Sequence, residues 1–132
     1  MSYEESLRSI SLDADASVGI YTGVPGQPGS AVPNSGKQYC FLKITGSHQV
    51  GLCTATTDAA VGILQNKPQK PGAAATVGYS GVSNVIAGEV IAAGDRVGPG
   101  TTGKAMKNAT GVWVAIKPSS GADQLIPVLK VA

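Results

Sequence analysis

Glycine and proline interrupt this sequence at short intervals, and they constrain its fold more than any other feature. The 132 residues include eighteen glycines and eight prolines, while the runs of Leu, Glu, Lys and Arg that build long helices are scarce. Glycine favours turns, and proline cannot donate the backbone hydrogen bond that a helix interior or a central strand requires. The sequence therefore predicts an all-β protein of short strands joined by many turns, a small, mostly antiparallel β-sandwich or β-barrel.

Local composition divides the chain into an N-terminal arm and a body. A length of 132 residues suits a single domain. Residues 1–16 are mostly polar, and residues 23–37 contain three prolines and four glycines, a composition that excludes a helix or a central strand. We therefore predict an extended arm and a Pro/Gly-rich loop over residues 1–37, with a short strand at residues 18–22, and a β-rich body over residues 38–132.

A β-hairpin is predicted at the start of the body. Residues 38–44 and 49–55 have β-type composition and flank the turn sequence TGSH, in which Gly46 would supply the positive φ. A symmetric loop sets one register between the two strands. The facing pairs in this register are Ile44 with Gln49, Phe41 with Leu52, and Cys40 with Cys53.

The two cysteines of this hairpin leave two states open. With a two-residue turn, Cys40 and Cys53 form a non-hydrogen-bonded pair whose Cα atoms approach to about 4.5 Å, near the lower end of disulfide geometry. The N-terminal sequence lacks the apolar segment of a secretion signal, so the chain is expected to be made in a cytoplasm, where thiols are normally reduced. Two buried thiols are therefore favoured over a disulfide.

Four more segments have the composition of strands. They cover residues 59–65, 73–87, 111–117 and 124–132, and Gly78 and Gly81 are expected to mark bends or bulges within the second of them. Pro127 has no N–H to donate to a neighbouring strand, so the last strand is predicted to lie at an edge or to be bulged there.

The stretch GPGTTGKA, residues 98–105, has the spacing of a phosphate-binding loop. Such a loop ends in Gly-Lys-Ser or Gly-Lys-Thr and opens a helix, because the hydroxyl binds magnesium and the helix amides face the phosphate. Here Ala105 follows Lys104, and the chain continues through a turn into the β-type run VWVAI. We interpret the stretch as a glycine-rich turn between two strands.

Other side chains that carry chemistry are too sparse to form a catalytic or metal site. His48 is the only histidine and lies in the predicted hairpin loop, while the sequence GYSGV around Ser80 lacks one glycine of a nucleophile elbow. Cys40, Cys53 and His48 do not have zinc-ligand spacing. The eight acids are scattered, several of them in predicted turns. We expect no catalytic residue, no cofactor and no metal, and the chain is not predicted to be an enzyme.

Charge and hydropathy disfavour two classes of partner. The net charge is only +2, the ten basic residues are spread singly, and the chain has one Trp and one Phe for stacking, so nucleic-acid binding is not expected. No stretch approaches the roughly 20 apolar residues of a membrane span.

The middle of the chain has a more specific pattern. Residues 61–68 (VGILQNKP) are followed by a glycine-alanine stretch and an alternating strand, then by SGVSNVIAGEVIAAGDRV at residues 80–97 and a glycine-containing hairpin at residues 98–107. This succession over residues 59–107 resembles the small capsid decoration, or cement, proteins of tailed bacteriophages. It is a pattern of turns and strand alternation without a catalytic signature. The Pro/Gly-rich residues 23–37 depart from it.

The resemblance implies a β-rich virion protein that binds the outer surface of the assembled capsid and stabilises the head. The implied partners are the major capsid protein and further copies of the chain, as a homotrimer, with synthesis in the cytoplasm of a bacterial host. An extended arm can add a strand to a partner's sheet edge, so contact residues are expected in the arm and the loop. These residues are Ser2, Tyr3, Leu7, Ile10, Leu12, Val24, Pro25, Pro28 and Val32.

Two other functions remain open from the residues alone. A receptor- or glycan-binding protein on the head surface would need an exposed aromatic platform, for which the candidates are Tyr21, Tyr39, Tyr79 and Trp113. An accessory β-domain of an enzyme would bind a small ligand in the mouth of a barrel.

Overall fold

A computed structural model describes residues 7–15, 17–18, 37–68 and 71–131. The described residues form strands, turns and irregular segments without a helix, so the predicted all-β class is confirmed. The strands are β1 (Arg8–Ala14), β2 (Phe41–Gly46), β3 (Gln49–Leu52), β4 (Ala60–Leu64), β5 (Ala74–Ser80), β6 (Val82–Ala87), β7 (Arg96–Pro99), β8 (Ala105–Lys107), β9 (Trp113–Ala115) and β10 (Gln124–Lys130).

The ten strands close into two barrels, where the sequence predicted one barrel or a sandwich. The first barrel has the strand order β1-β3-β2-β4-β5, and the second has the order β10-β6-β8-β7-β9. Pairing is antiparallel except between β1 and β3 and between β6 and β8. The chain passes from one barrel to the other at Gly81. Its φ is +96°, a backbone conformation that residues other than glycine rarely adopt. Each barrel is therefore built from one continuous part of the chain.

Strand β1 lies within the segment that the sequence assigned to the arm. It pairs with β5 along its length and with β3 at its end, so it closes the first barrel. Its sequence RSISLDA alternates, and Leu12 and Ala14 face the apolar interior. The arm thus contributes a strand to the body. The predicted boundary at residues 37 and 38 stays a prediction, and residues 1–6 and 19–36 lie outside the described residues.

The two barrels share an apolar joint. The start of β2 and the end of β4 are buried on both faces: Leu42 and Leu64 lie in the core of the first barrel, and Phe41 and Ile63 point into the core of the second. The Phe41 ring meets the Trp113 ring edge-on, with centroids 6.5 Å apart. The backbone N–H of Phe41 also donates to the carbonyl of Gly103 in the second barrel at 2.8 Å. The packing joins both barrels into one folded unit.

The predicted hairpin forms, but its register differs from the prediction. The turn residues are Ser47 and His48, and His48 rather than Gly46 adopts the positive φ, at 57°. Gly46 pairs with Gln49, and an extra residue at Thr45 makes a bulge. The observed pairs are Ile44 with Val50 and Leu42 with Leu52, so the predicted pairs of Ile44 with Gln49 and Phe41 with Leu52 are wrong.

This shift separates the two cysteines. Moving an antiparallel register by one residue turns every side chain to the other face of the sheet. Phe41 now lies opposite Cys53 and accepts its backbone N–H at 3.1 Å, so the predicted facing pair of Cys40 and Cys53 does not form. Both cysteines are buried free thiols, the state that the sequence favoured. Burial raises the pKa of the Cys53 thiol to about 12.

The last strand is not an edge. Strand β10 pairs with β6 on one side, without a bulge, and with β9 on the other, so the prediction from Pro127 is wrong. The carbonyl of Pro127 accepts the N–H of Ile116 at 2.9 Å, but proline has no N–H with which to return the bond. The pairing with β9 therefore stops at this residue. The proline marks where a ladder ends inside a closed barrel.

Candidate binding surface

The residues that resemble a phosphate-binding loop form a turn between two strands, as the sequence predicted. Strands β7 and β8 pair on either side of it, and the N–H of Gly100 donates to the carbonyl of Lys104 at 2.8 Å. Gly103 supplies a positive φ of 80°. The segment after Lys104 is strand β8, so no helix N-terminus faces the turn. The Lys104 ammonium forms a salt bridge with Asp123 instead.

The single histidine and the serine of GYSGV are held apart. His48 lies beside the end of β1, where its carbonyl accepts the N–H of Asp13, and Ser80 pairs with Arg8 at the other end of that strand. Five residues of extended strand span about 17 Å, so these two side chains cannot act as base and nucleophile together. Within the described residues there is no cluster of three His, Cys, Asp or Glu side chains that could hold a metal ion.

Asp58 acts as a brace for the loop that precedes β4. Its carboxylate accepts the backbone N–H groups of Thr54 at 2.8 Å and Ala55 at 3.0 Å, and it pairs with the Lys43 ammonium at 3.0 Å. The hydrogen bond from Thr54, followed by the contact with Lys43, holds the pKa of the Asp58 carboxyl below its usual value. A carboxylate engaged in this way fixes a loop and is not poised as a catalytic acid or base.

Asp15 plays the same part at the end of β1. Partial burial by itself would raise the pKa of the Asp15 carboxyl, but the hydrogen bonds from Ser17 and from Thr45, together with the charge of Lys43, hold the pKa below its usual value. The Ser17 N–H donates at 2.8 Å, as does the Thr45 hydroxyl. Asp15 therefore ties the end of β1 to the β2–β3 hairpin.

A cleft of about 590 Å³ lies between the two barrels rather than in the mouth of either one. Phe41 and Trp113 border it, and its polar side chains include Asp58, Asn108 and Thr110. These polar groups bond to their own chain: the Asn108 side-chain oxygen accepts both the N–H and the hydroxyl of Thr110, as in a turn. The side-chain oxygens of Asp58 and Asn108 are therefore engaged within the chain.

The aromatic residues do not assemble a platform in the part of the chain that the structure describes. Trp113 is only 2% exposed, and Tyr39 packs against the same core cluster. Tyr79 is exposed, and Tyr21 lies outside the described residues. Core packing therefore accounts for Trp113 and Tyr39.

Three of the predicted contact residues are described. Leu7 lies close to Gly78 of β5, Ile10 is half-exposed on β1, and Leu12 packs against the core of the first barrel. Strand β1 pairs with β5 along its length but with β3 only at Asp13 and Ala14, so the edge of residues 8–12 that faces away from β5 has no strand partner among the described residues. The other six residues, Ser2, Tyr3, Val24, Pro25, Pro28 and Val32, lie outside the described residues.

The second barrel presents an exposed apolar surface that the sequence reasoning missed. On β9 and β10 the buried residues alternate with apolar residues that point outward, and the register of the two strands makes the outward residues neighbours. We call this surface the apolar face. It consists of Val112, Val114, Ile116, Leu125, Leu129 and Val131.

A sequence signal for the apolar face exists. Residues 112–116 and 125–131 are apolar at nearly every position, whereas a strand with one solvated face alternates apolar and polar residues. Such continuous runs are usually taken as strands buried on both sides. Here Leu125 is 55% exposed and Ile116 is 46% exposed.

Among the residues that the structure describes, no helix has the length and apolar character that crossing a bilayer requires.

The fold is a pair of closed, five-stranded β-barrels that share one apolar joint. A solved structure with this fold is the crystal structure of the head fiber gp8.5 N base of bacteriophage phi29, with a TM-score of 0.61 over 93% of this chain and 94% of that chain. The two sequences are 17% identical, so the likeness shows a shared fold. The sequence matches no protein-family model and no curated protein.

Proposed function

We propose that this chain is a structural protein of a tailed-bacteriophage virion, which binds the outer surface of the head and stabilises the assembled shell. The observation that carries the proposal is the likeness in fold to a phage head fiber base over nearly the whole of both chains. The resemblance of residues 59–107 to capsid decoration proteins points to the same part of a virion independently. The carboxylates of Asp58 and Asp15, which fix loops of the chain, agree with a structural role.

The proposed partner is the major capsid protein, and the proposed mechanism is mass action. A protein that binds only the assembled shell lowers the free energy of that state and so raises the energy needed to disrupt it. Each contact can be weak, because many copies act on one shell. In the proposed homotrimer, three linked contacts raise the avidity further. The protein is made in the cytoplasm of the bacterial host and ends in the virion, with Leu7 and Ile10 of β1 as proposed contacts at the capsid surface.

The test uses DNA-filled heads assembled without this protein. Purified protein is titrated onto the heads, bound copies are counted after sedimentation, and disruption is followed with a dye that fluoresces on released DNA. We expect saturable binding of many copies and a higher disruption temperature. An unrelated β-barrel protein of similar charge is the control. Heads that bind nothing at micromolar protein would refute the proposal.

The same purified protein can be used to distinguish the proposal from the alternative of a receptor-binding head protein. Binding to intact host cells or to their surface glycans, together with heads whose disruption temperature does not change, would favour that alternative. Binding to heads with stabilisation and without binding to cells supports the proposal.

A further inference from the structure

The apolar face is continuous and carries no charged side chain. Leu129 is paired with Val114 on β9 and with Val82 on β6, so apolar side chains run across three adjacent strands. At the two ends of β10, Leu125 lies beside Ile86, and the N–H of Val131 donates to the carbonyl of Val112 at 2.8 Å. The face is therefore a patch of sheet surface and not a set of scattered side chains. Exposed patches of this kind mark sites of interaction.

The exposed apolar residues of the first barrel have a different arrangement. Ile10 lies near the start of β1, and Ile44 lies near the turn between β2 and β3, toward the other end of the barrel. Ile10 lies opposite buried Val77, and Ile44 lies opposite buried Val50, so each extends the inner face of the first barrel at one of its ends. Single exposed apolar residues are common on proteins, so the exposure of these two does not by itself define a docking surface.

Two basic residues border the apolar face. Arg96 on the neighbouring strand β7 pairs with Val114, and its guanidinium donates to the carbonyl of Gly111 at 2.9 Å. The exposed Lys117 directly follows Ile116. In the part of the chain that the structure describes, neither of these two forms a salt bridge. An apolar centre within a cationic rim fits a surface with the opposite rim charge.

A second copy of the chain is poorly suited to supply that charge. Among the described acids, every carboxylate except that of Asp13 accepts a hydrogen bond from another described residue. In the second barrel, Glu89 accepts the N–H of Lys107 at 2.7 Å, Asp95 accepts the N–H of Ala92 at 2.9 Å, and Asp123 pairs with Lys104. Two copies that met face to face would also bring their cationic rims together.

We infer that the apolar face docks onto a protein surface of different chemistry, an apolar patch bordered by carboxylates on a subunit of the phage shell. This inference rests on the proposed function, because that function supplies the shell as partner. Burial of the apolar side chains supplies the affinity, and the rim cations orient the approach and make the association rate sensitive to salt.

The first experiment compares two matched sets of substitutions in the head-binding assay. The face variant carries Leu125→Ser and Ile116→Ser, and the control carries Ile44→Ser, a residue of the first barrel that is 52% exposed and thus comparable with Leu125. We expect the face variant to bind heads about tenfold more weakly or worse, since two large apolar side chains would no longer be withdrawn from water on binding. The control should bind within about twofold of the wild-type protein, as scattered exposed apolar residues lie outside hot spots.

The rim is tested by charge reversal. Lys117→Glu should weaken head binding and flatten its dependence on salt, whereas Lys67→Glu, an exposed lysine of the first barrel, should leave both unchanged. If wild-type protein binds heads and both face and rim variants bind equally well, the inference fails while the proposed function stands. If wild-type protein binds no heads, both fail.

Sedimentation equilibrium of the same variants tests whether a second copy of the chain covers the apolar face instead. The face variant should keep the oligomeric state of the wild-type protein. A face variant that becomes monomeric when the wild-type protein is oligomeric would show that a second copy covers the face, and it would overturn the inference. Thermal unfolding that matches the wild-type protein confirms that the variants are folded.

Discussion

The two barrels have similar interiors and different exteriors. In the first barrel, Phe41 of β2 and Ile63 of β4 point outward and are buried against the second barrel. The outward residues of β1 are the polar Ser9, Ser11 and Asp13, which are exposed to solvent. In the second barrel, the outward residues of β9 and β10 are apolar and exposed. Packing within the chain explains the first set and leaves the second set without a partner among the described residues. The exposed apolar face proposed to dock on the shell is therefore a feature of the second barrel.

The largest effect is expected from the joint itself. Phe41→Ala removes a fully buried ring that lies between the two cores, and such a truncation costs about 3–5 kcal/mol. Because the joint couples the barrels, unfolding in urea should remain a single transition at lower denaturant, with Trp113 fluorescence and circular dichroism changing together.

Two separate transitions in this variant would contradict the view that the barrels form one cooperative unit. Ile44→Ala is the matched control on the same strand, and its half-exposed side chain should cost no more than about 0.5 kcal/mol.

A smaller and equal loss is expected when either barrel is overpacked. A Cβ at Gly62 would lie 2.6 Å from Cγ1 of Val77, and a Cβ at Gly111 would lie 2.6 Å from the carbonyl carbon of Val97. Gly62→Ala in the first barrel and Gly111→Ala in the second should each destabilise the whole protein by about 1–3 kcal/mol in urea unfolding. Gly121→Ala is the control, since a Cβ there meets nothing within 4 Å. Losses no greater than that of the control would mean that the strands are looser than described.

The smallest effect concerns the two salt bridges found among the described residues, one in each barrel. The folded-state pKa of Asp58 is below the ordinary value of 3.8, so its contribution to stability is complete above that value and is lost as the pH falls through the lowered pKa. Asp58→Asn should therefore reduce the melting temperature at pH 7, and the difference from the wild-type protein should shrink below pH 3.8.

Asp123→Asn is the comparison in the second barrel. Its carboxylate is 68% exposed, so the loss of its pairing with Lys104 should change the melting temperature less than Asp58→Asn does at the same pH. A larger drop in melting temperature for Asp123→Asn than for Asp58→Asn would contradict the order expected from the exposure of the two side chains.

Local patterns predicted local structure, and contacts between distant residues decided the rest. The glycines and prolines indicated the all-β class, and Ala105 in place of a hydroxyl residue identified the turn at residues 98–105. The closing of two barrels depends on which strands meet, for example β1 with β5, and that information is not local. The bulge at Thr45 and the positive φ of His48 were hidden because Gly46 offered a turn of lower local energy.

The candidate site was predicted less well for a related reason. Apolar runs at residues 112–116 and 125–131 look the same whether the second face is buried within the chain or reserved for a partner. Only the exposure of Leu125 and Ile116 in the folded barrel separates these two cases.

The crossing at Gly81 also sets the order of events on the ribosome. All strands of the first barrel are synthesised before β6, and the roughly fifty residues from Gly81 to the end of β10 take on the order of 3–10 s at about 5–20 residues per second. During that time Phe41 and Ile63 have no second barrel to cover them. The partly synthesised protein is thus a closed barrel with an exposed apolar surface that makes it prone to aggregate. Synthesis of the second barrel covers that surface.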